Sequence, residues 1–390
     1  CIALGKPTNW LDPPSFCSPR YLDSLLASQS QLMAGSMPTA ASKVDKIGSL
    51  SSMNGKLNIG VVGLGRLGSL YANYFANRLP DANLVAVSDV REEVAQQIAI
   101  EYGAKRWYQD YNDLIADEDV EAVVIVTPTK FHTEVAVHAA RAGKKIFCEK
   151  PLSLSIEGSV EIKDVVEKTG AFFQLGFMRR FDSGYLAAKE KVESGEIGNR
   201  VQFKSTSRDR ERPDLDYLRP ENSGGLFVDM GIHDFDLARW LMGEVKSVYA
   251  TGGVLAYPEM SEIGDVDNAI VNLYFEDGTI GAIDLSRNAI YGYEICSEIL
   301  GTNGALQIGY HRETPLQVMK ANEISHDVVP GFYERFERAY IDQLQNFVDH
   351  ILGDRPPVIT ADDGIKALLI ALAATISLHE NRPVELSELK

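Results

Sequence analysis

The sequence predicts two structural styles in one chain. An α/β half is built as a doubly wound parallel sheet, and an α+β half follows, with an open, mainly antiparallel sheet packed on helices. Three observations carry this. A Gly63-x-Gly65-x-x-Gly68 run joins an apolar strand to a helix without a gap. From residue 56 to 175, short apolar runs alternate with helical periods, as βαβ units do. Beyond 195 the apolar runs are separated by hairpin-type turns such as Asp277-Gly278 and Asn303-Gly304.

Residues 1–52 stand apart. They are rich in Ser, Pro and small residues and show no sustained period. They read as a disordered extension, a targeting leader or a gene-boundary artefact, with a natural-looking start at Met53. Leu57–Val62 is then a strand, and the glycines after it form a Rossmann fingerprint. Gly63 permits the tight turn, Gly65 lets a pyrophosphate reach the backbone, and Gly68 lets helix and strand pack closely. Leu64, Arg66 and Leu67 complete this cofactor-binding loop, where the helix N-terminus supplies N–H donors. Leu84–Ser88 is the second strand and ends in Asp89, roughly 20–25 residues beyond the glycines, where a carboxylate can accept from both ribose hydroxyls. That carboxylate would repel a 2′-phosphate, so NAD is favoured over NADP, with Arg91 nearby as the one contrary sign.

Further on, Ala122–Val126 is a continuous apolar strand of the kind buried on both faces. It ends at Thr127, and a helix opens near His132; both are cofactor-edge candidates, His132 being equally readable as a structural hydrogen-bonding residue. Lys145–Cys148 is the next strand and delivers Glu149-Lys150-Pro151 to the crevice. The NAD-binding domain is therefore expected over 53–175. A second domain, for substrate and oligomerisation, is expected over 176–390, its last helix able to pack back on the first. In it, strands are expected near 201–207, 245–255, 269–275, 280–286, 294–300 and 305–308, and closing helices over 332–352 and 362–379. Asp265-Val266-Asp267 reads as a solvated strand entry.

Gly224–Leu241 is the most informative stretch. Ile232, Phe235, Ala238 and Leu241 recur as a buried helical stripe. His233, Asp236 and Trp240 fall on another face, with Asp229 about one turn before His233. An acid and a histidine there suit acid–base chemistry.

Composition narrows the function class. Hydrophobic residues make up 45 % and charged residues 24 %, and the net charge is −17 from 55 acids and 38 bases. An acidic chain argues against nucleic-acid or anionic-membrane surfaces, which need concentrated Lys and Arg. No apolar run reaches the ~18 residues of a membrane helix. Cys1, Cys17, Cys148 and Cys296 lack ligand spacing, so they read as free thiols in a reducing, cytoplasmic compartment, and no metal site is expected.

Glu149-Lys150-Pro151, with the fingerprint before it, resembles the Gfo/Idh/MocA family of sugar and polyol dehydrogenases. Gly176-Phe177-Met178-Arg179-Arg180-Phe181-Asp182, the 224–241 stretch and Tyr291-Gly292-Tyr293-Glu294 narrow the resemblance to its inositol dehydrogenase branch, over essentially 53–390. The resemblance implies oxidation of a cyclic polyol, foremost myo-inositol to 2-keto-myo-inositol, with hydride passing to the nicotinamide of NAD. Lys150 would be the catalytic lysine between cofactor and substrate, with Glu149 beside the cofactor. His233 would accept the hydroxyl proton, and Asp229 would orient and tune that histidine. Met178, Arg179 and Tyr293 match substrate-contacting positions. Family members commonly form dimers and tetramers through the open sheet. The helix reads His-Asp-Phe-Asp where some inositol enzymes have His-Glu-Ile-Asp, and Ser207-Arg208-Asp209 departs from the His or Asn often found there. Scyllo-inositol, another isomer or a pyranose sugar therefore stay open as substrates, as does a catalytically silent NAD-binding sensor.

Overall fold

The computed structural model describes residues 55–389, so the readings made for 1–52 lie outside the described residues. Strand β1 (Leu57–Val62) leads into α1 (Arg66–Asn77). The alternation continues through β2 (Ala82–Ser88), α2 (Glu92–Tyr102), β3 (Arg106–Tyr108), α3 (Tyr111–Ala116), β4 (Ala122–Ile125), α4 (His132–Arg141), β5 (Lys145–Glu149), α5 (Ile156–Thr169) and β6 (Phe173–Gly176). These strands make one parallel sheet in the order β3-β2-β1-β4-β5-β6. Every residue of β4 is buried, which is why its sequence is a continuous apolar run. Strand order reverses between β1 and β4, and the carboxyl ends of the strands there open a ligand crevice.

The second half comprises α6 (Ser183–Glu193), β7 (Arg200–Arg208), α7 (Leu215–Leu218), α8 (Pro220–Ser223), α9 (Ile232–Met242), β8 (Val245–Gly253), β9 (Asn268–Phe275), β10 (Ile280–Ser286), β11 (Glu294–Gly301) and β12 (Ala305–Ile308). A small hairpin of β13 (Val318–Lys320) and β14 (Glu323–Ser325) follows, then α10 (Phe332–Leu352), α11 (Ala361–Glu380) and β15 (Val384–Glu385). Seven strands form a sheet in the order β12-β11-β7-β10-β9-β8-β15. One residue in two of β9 is buried along its length, so one face packs on helices and the other is open. α11 runs behind the sheet and also meets the first half: a Cβ on Gly364 would stand 2.7 Å from Leu175 and 3.0 Å from Leu152.

Four features add to or correct the sequence reading. The Gly176–Asp182 run is not a strand throughout; β6 stops at Gly176 and Met178–Phe181 forms a 3₁₀ turn. The sheet is not made of hairpins alone, because β10 pairs with β7 in parallel. Helix α9 has no solvated face: His233, Asp234 and Asp236 are buried with the apolar stripe, since both acids meet arginines. Asp267 is no solvated strand entry either. It is fully buried, and its carboxylate accepts the backbone N–H groups of Leu255 (2.8 Å), Ala256 (2.9 Å) and Tyr257 (2.6 Å), folding that loop around itself.

Candidate active site

The fingerprint glycines build a cradle that fits a dinucleotide. Gly63 has φ +88°, and a Cβ on it would lie 2.7 Å from the backbone nitrogen of Thr127. A Cβ on Gly68 would lie 1.8 Å from the Gly63 carbonyl oxygen, so only glycine lets α1 press this closely on the turn. Around Gly65 a Cβ would meet nothing within 4 Å, which is the open approach a pyrophosphate needs. Asp89, at the end of β2, accepts the Leu64 backbone N–H at 2.8 Å and the Arg91 Nε at 2.8 Å. Burial alone would raise its pKa, but the Arg91 guanidinium and these N–H donors hold it below the usual carboxylate range. A permanent anion at this place suits a ribose diol. Arg66 and Leu67 open α1, with the Arg66 guanidinium 4.6 Å from the Phe332 ring centre. Thr127, at the crevice end of β4, has a buried hydroxyl oxygen with no hydrogen-bond partner among the described residues.

Two of the expected cofactor-edge residues turn inward. His132 is buried, with Nδ1 2.8 Å from the Pro151 carbonyl and Nε2 2.9 Å from that of Thr127, bracing the ends of β4 and β5 against each other. Of the two roles the sequence left open for it, this is the structural one. Glu149 is buried as well. Its carboxylate accepts from the Tyr71 hydroxyl and from Gln343 Nε2 at 3.4 Å, so it faces α1 and α10, and burial raises its pKa.

Lys150, Asp229 and His233 do converge. Lys150 Nζ donates to the Asp229 carbonyl at 2.8 Å and stands 3.9 Å from its carboxylate. Asp229 lies in a widened, π-helical turn, Phe227–Gly231, that precedes α9; such turns are uncommon and concentrate at functional sites. The Asp229 carboxylate does not bond to His233, as the resemblance led one to expect. One oxygen accepts the Tyr217 hydroxyl at 2.8 Å and the other Arg287 Nη2 at 2.9 Å. Burial would raise its pKa, yet Arg287 and Lys150 hold it below the ordinary value, so it stays ionised. His233 is buried, edge-on to Phe177 with ring centres 6.3 Å apart, and its Nδ1 has no partner among the described residues. Burial pushes its pKa well below that of a free histidine, and the charges of Lys150 and Arg179 push it further the same way. At neutral pH it is an uncharged base.

Met178, Arg179 and Tyr293 lie close by but deep. Arg179 Nη1 donates to Asp234 at 2.9 Å and Nη2 to Ser207 Oγ at 3.1 Å. Tyr293 packs edge-on to Phe336 at 6.5 Å. Arg180 pairs with Asp236 and, at 3.0 Å, with Asp363, so Asp236 anchors helices and does not join His233. Tyr217 and Arg287 were missed by the sequence reading, and Asp209 was noted only as part of a stretch that departs from the family pattern. Their signal is topological: Arg208 lies opposite Ser286 in the parallel β7–β10 pair, so Asp209 and Arg287 leave neighbouring strand ends together. β11 and the segment that follows β12 bring the ligand atoms of Glu294, Cys296 and His311 within 4.8 Å of one another, a grouping that their sequence spacing conceals. The Glu294 carboxylate is already bonded by Arg208 and Tyr291, and burial raises the pKa of the Cys296 thiol.

With this geometry in hand, comparison with known proteins is decisive. Residues 57–177 match the oxidoreductase family's NAD-binding Rossmann fold, and 185–307 match the GFO/IDH/MocA C-terminal domain. The chain belongs to the Gfo/Idh/MocA oxidoreductase family. It is 39 % identical over 335 residues to a scyllo-inositol 2-dehydrogenase (NAD(+)) of Bacillus subtilis, covering 86 % of this chain and 97 % of that one. It is 40 % identical over 334 residues to a myo-inositol 2-dehydrogenase of Thermotoga maritima, covering 85 % and 99 %. Among solved structures of the family, scyllo-inositol dehydrogenase from Lactobacillus casei with bound NAD(H) and scyllo-inositol aligns with TM-score 0.81 and 35 % identity, over 85 % of this chain and 99 % of that one.

Proposed function

We propose that this Gfo/Idh/MocA chain is an NAD-dependent dehydrogenase of a cyclic polyol, with myo-inositol oxidised to 2-keto-myo-inositol. The observation that carries the reading is the meeting of a lysine ammonium and a neutral, buried histidine beside an ionised aspartate, where β5 ends at the nucleotide crevice. NAD supplies the hydride acceptor. The cradle of Gly63, Gly65 and Gly68 and the Asp89 carboxylate would hold it. Lys150 orients the reacting hydroxyl and stabilises negative charge as it develops on that oxygen, an interaction strengthened where water is excluded. His233, neutral at working pH, takes the hydroxyl proton. Asp229 holds Lys150 through its carbonyl and keeps a compensating negative charge beside it.

Scyllo-inositol is the second reading, favoured by the Bacillus subtilis relative and the Lactobacillus casei structure. A homo-oligomer is part of the proposal. On the open sheet face Ile280 lies directly opposite Tyr274 and Gln202, and Gln202 opposite Leu300, with Ile270, Tyr274, Ile280 and Leu300 exposed. A row of exposed apolar side chains of this kind fits burial against a second copy. A cytoplasmic location is taken with it, supported by the free thiols of Cys148 and Cys296.

The test is NADH formation on a panel of myo-inositol, scyllo-inositol, D-chiro-inositol and glucose, with NAD and NADP compared. Turnover with an inositol and NAD is expected. Activity on glucose alone would replace the substrate class, and NAD binding without turnover on any polyol would favour a sensor.

A further inference from the structure

The proposed chemistry uses Lys150, Asp229 and His233 and leaves Arg287 without a role. Its side chain is fully buried, 0 % exposed, in contact with two acids of the site. Nη2 donates to Asp229 at 2.9 Å, while Nη1 stops 3.6 Å short of Asp209 Oδ2. Nε and Nη1 have no hydrogen-bond partner among the described residues. A wholly buried guanidinium with most of its donors unbonded is a costly thing for a core to hold. An arginine kept for packing alone would be replaced by an apolar side chain without loss. What this one does is lend a single positive charge to two carboxylates, one of them already fixed against the lysine of the site.

We infer that Arg287 is a positioning residue for the polyol chemistry, locking the Asp229 carboxylate beside Lys150 and holding Asp209 next to it as a second acid of the same site. The inference rests on the polyol dehydrogenase reading. The two acids are unequal. Asp229 has a direct bond from Arg287 and a second from Tyr217, and stays ionised. Asp209 is more loosely held, and burial pushes its pKa up to about 6, with Arg287, Arg179 and Lys150 opposing and Asp229 adding to the rise. Tyr293, a further titratable group, also couples to Asp209. Protonation of Asp209 removes one of the carboxylate charges that balance Arg287, the others being Asp229 and Asp265, so the grip on Asp229 becomes sensitive to pH near 6 while Asp229 itself does not titrate there.

The experiment compares the full chain with Arg287→Met, Arg287→Lys and Asp209→Asn, reading kcat, KM, NAD affinity and the pH dependence of kcat/KM. Arg287→Met is expected to lower kcat at least tenfold, with NAD affinity within about twofold, and to move the acid limb of kcat/KM upward by about one unit or more, because a carboxylate deprived of an adjacent arginine rises by that order. Arg287→Lys restores the position of the acid limb but only part of kcat, since an ammonium lacks the fork that reaches two acids. Asp209→Asn abolishes the inflection near pH 6. A wild-type kcat and pH profile in Arg287→Met overturns the inference. So does a loss uniform with pH that follows a lowered Tm and is not rescued by Arg287→Lys, the signature of a merely structural role. Should Arg287→Met fail to fold, an unchanged acid limb in Asp209→Asn overturns it instead. Absence of polyol turnover in the unaltered chain overturns the functional reading itself, before any variant is compared.

Discussion

Lys150→Met separates the catalytic from the structural share of one side chain. Lys150 is 19 % exposed at the side chain, and methionine is an unbranched side chain of nearly the same length. The substitution therefore keeps most of the volume and removes one ammonium. Two losses follow. The Asp229 carbonyl loses a charge-assisted hydrogen bond of 2.8 Å, worth about 1.5–3 kcal/mol. At roughly 2 °C per kcal/mol for a domain of this size, Tm should fall by about 3–6 °C. The reaction loses the one cation aimed at the developing oxyanion, and removal of such a preorganised donor costs about 2.7–4 kcal/mol, or roughly 10²–10³ in kcat. Asp229 remains ionised because Arg287 still bonds it. NAD affinity, set at the glycine turn and Asp89, should stay within about twofold. Steady-state NADH formation, calorimetric NAD titration and thermal denaturation measure the three quantities independently. A loss of kcat smaller than about fivefold, with NAD bound normally, would refute the assignment of the ammonium to the reacting oxygen.

Other outcomes are equally specific. Gly68→Ala puts a methyl 1.8 Å from the Gly63 carbonyl oxygen, a backbone atom that cannot rotate away, so NAD binding by titration should be lost or weakened at least tenfold and Tm lowered. Asp236→Ala leaves the buried Arg180 with Asp363 alone and should cost about 3–5 kcal/mol in denaturant unfolding, with little change in KM. Because the folded-state pKa of His233 lies below its unfolded value of about 6.5, the stability tied to its neutral form is complete above that pH and is lost as pH falls toward the folded value. Unfolding free energies at pH 7 and pH 5 should show the wild type losing more stability than His233→Gln on acidification. Asp89→Ala should weaken NAD more than it changes kcat, and the ratio of NAD to NADP affinity measures it.

The first half was legible because its chemistry is local. A strand, three glycines and a helix stand in one stretch, and each glycine answers to a backbone contact that can be checked. Lys150 was legible for the same reason, since a lysine at a strand end before proline is delivered to the crevice. The second face of helix α9, with Asp236 beside His233, was only partly legible. The arginines that neutralise Asp234 and Asp236, Arg179 and Arg180, lie more than fifty residues earlier, and no periodicity encodes such a pairing. Asp267 deceived in the same way, as its partners are backbone N–H groups that carry no sequence signature at all. His132, at the start of α4, and Glu149, at the end of β5, lie on the expected elements, but the direction of each side chain depends on rotamers that element assignment leaves open. Arg287 was not legible because the parallel pairing of β7 with β10 that sets it beside Asp209 has no local sequence signature.

The parallel seam between β7 and β10 also shapes how the protein is made. On a ribosome adding ~5–20 residues per second, the stretch from Arg208 to Ile280 takes roughly 4–14 s to emerge. Throughout that interval β7 waits for its partner with an unpaired edge, a ready template for association with other nascent chains. Two like positive charges on it, Lys204 and Arg208, oppose such association until Glu298 and Asp284 arrive to neutralise them. A chain halted before Ile280 therefore keeps its glycine cradle and Lys150 but presents a sticky strand in place of a finished pocket.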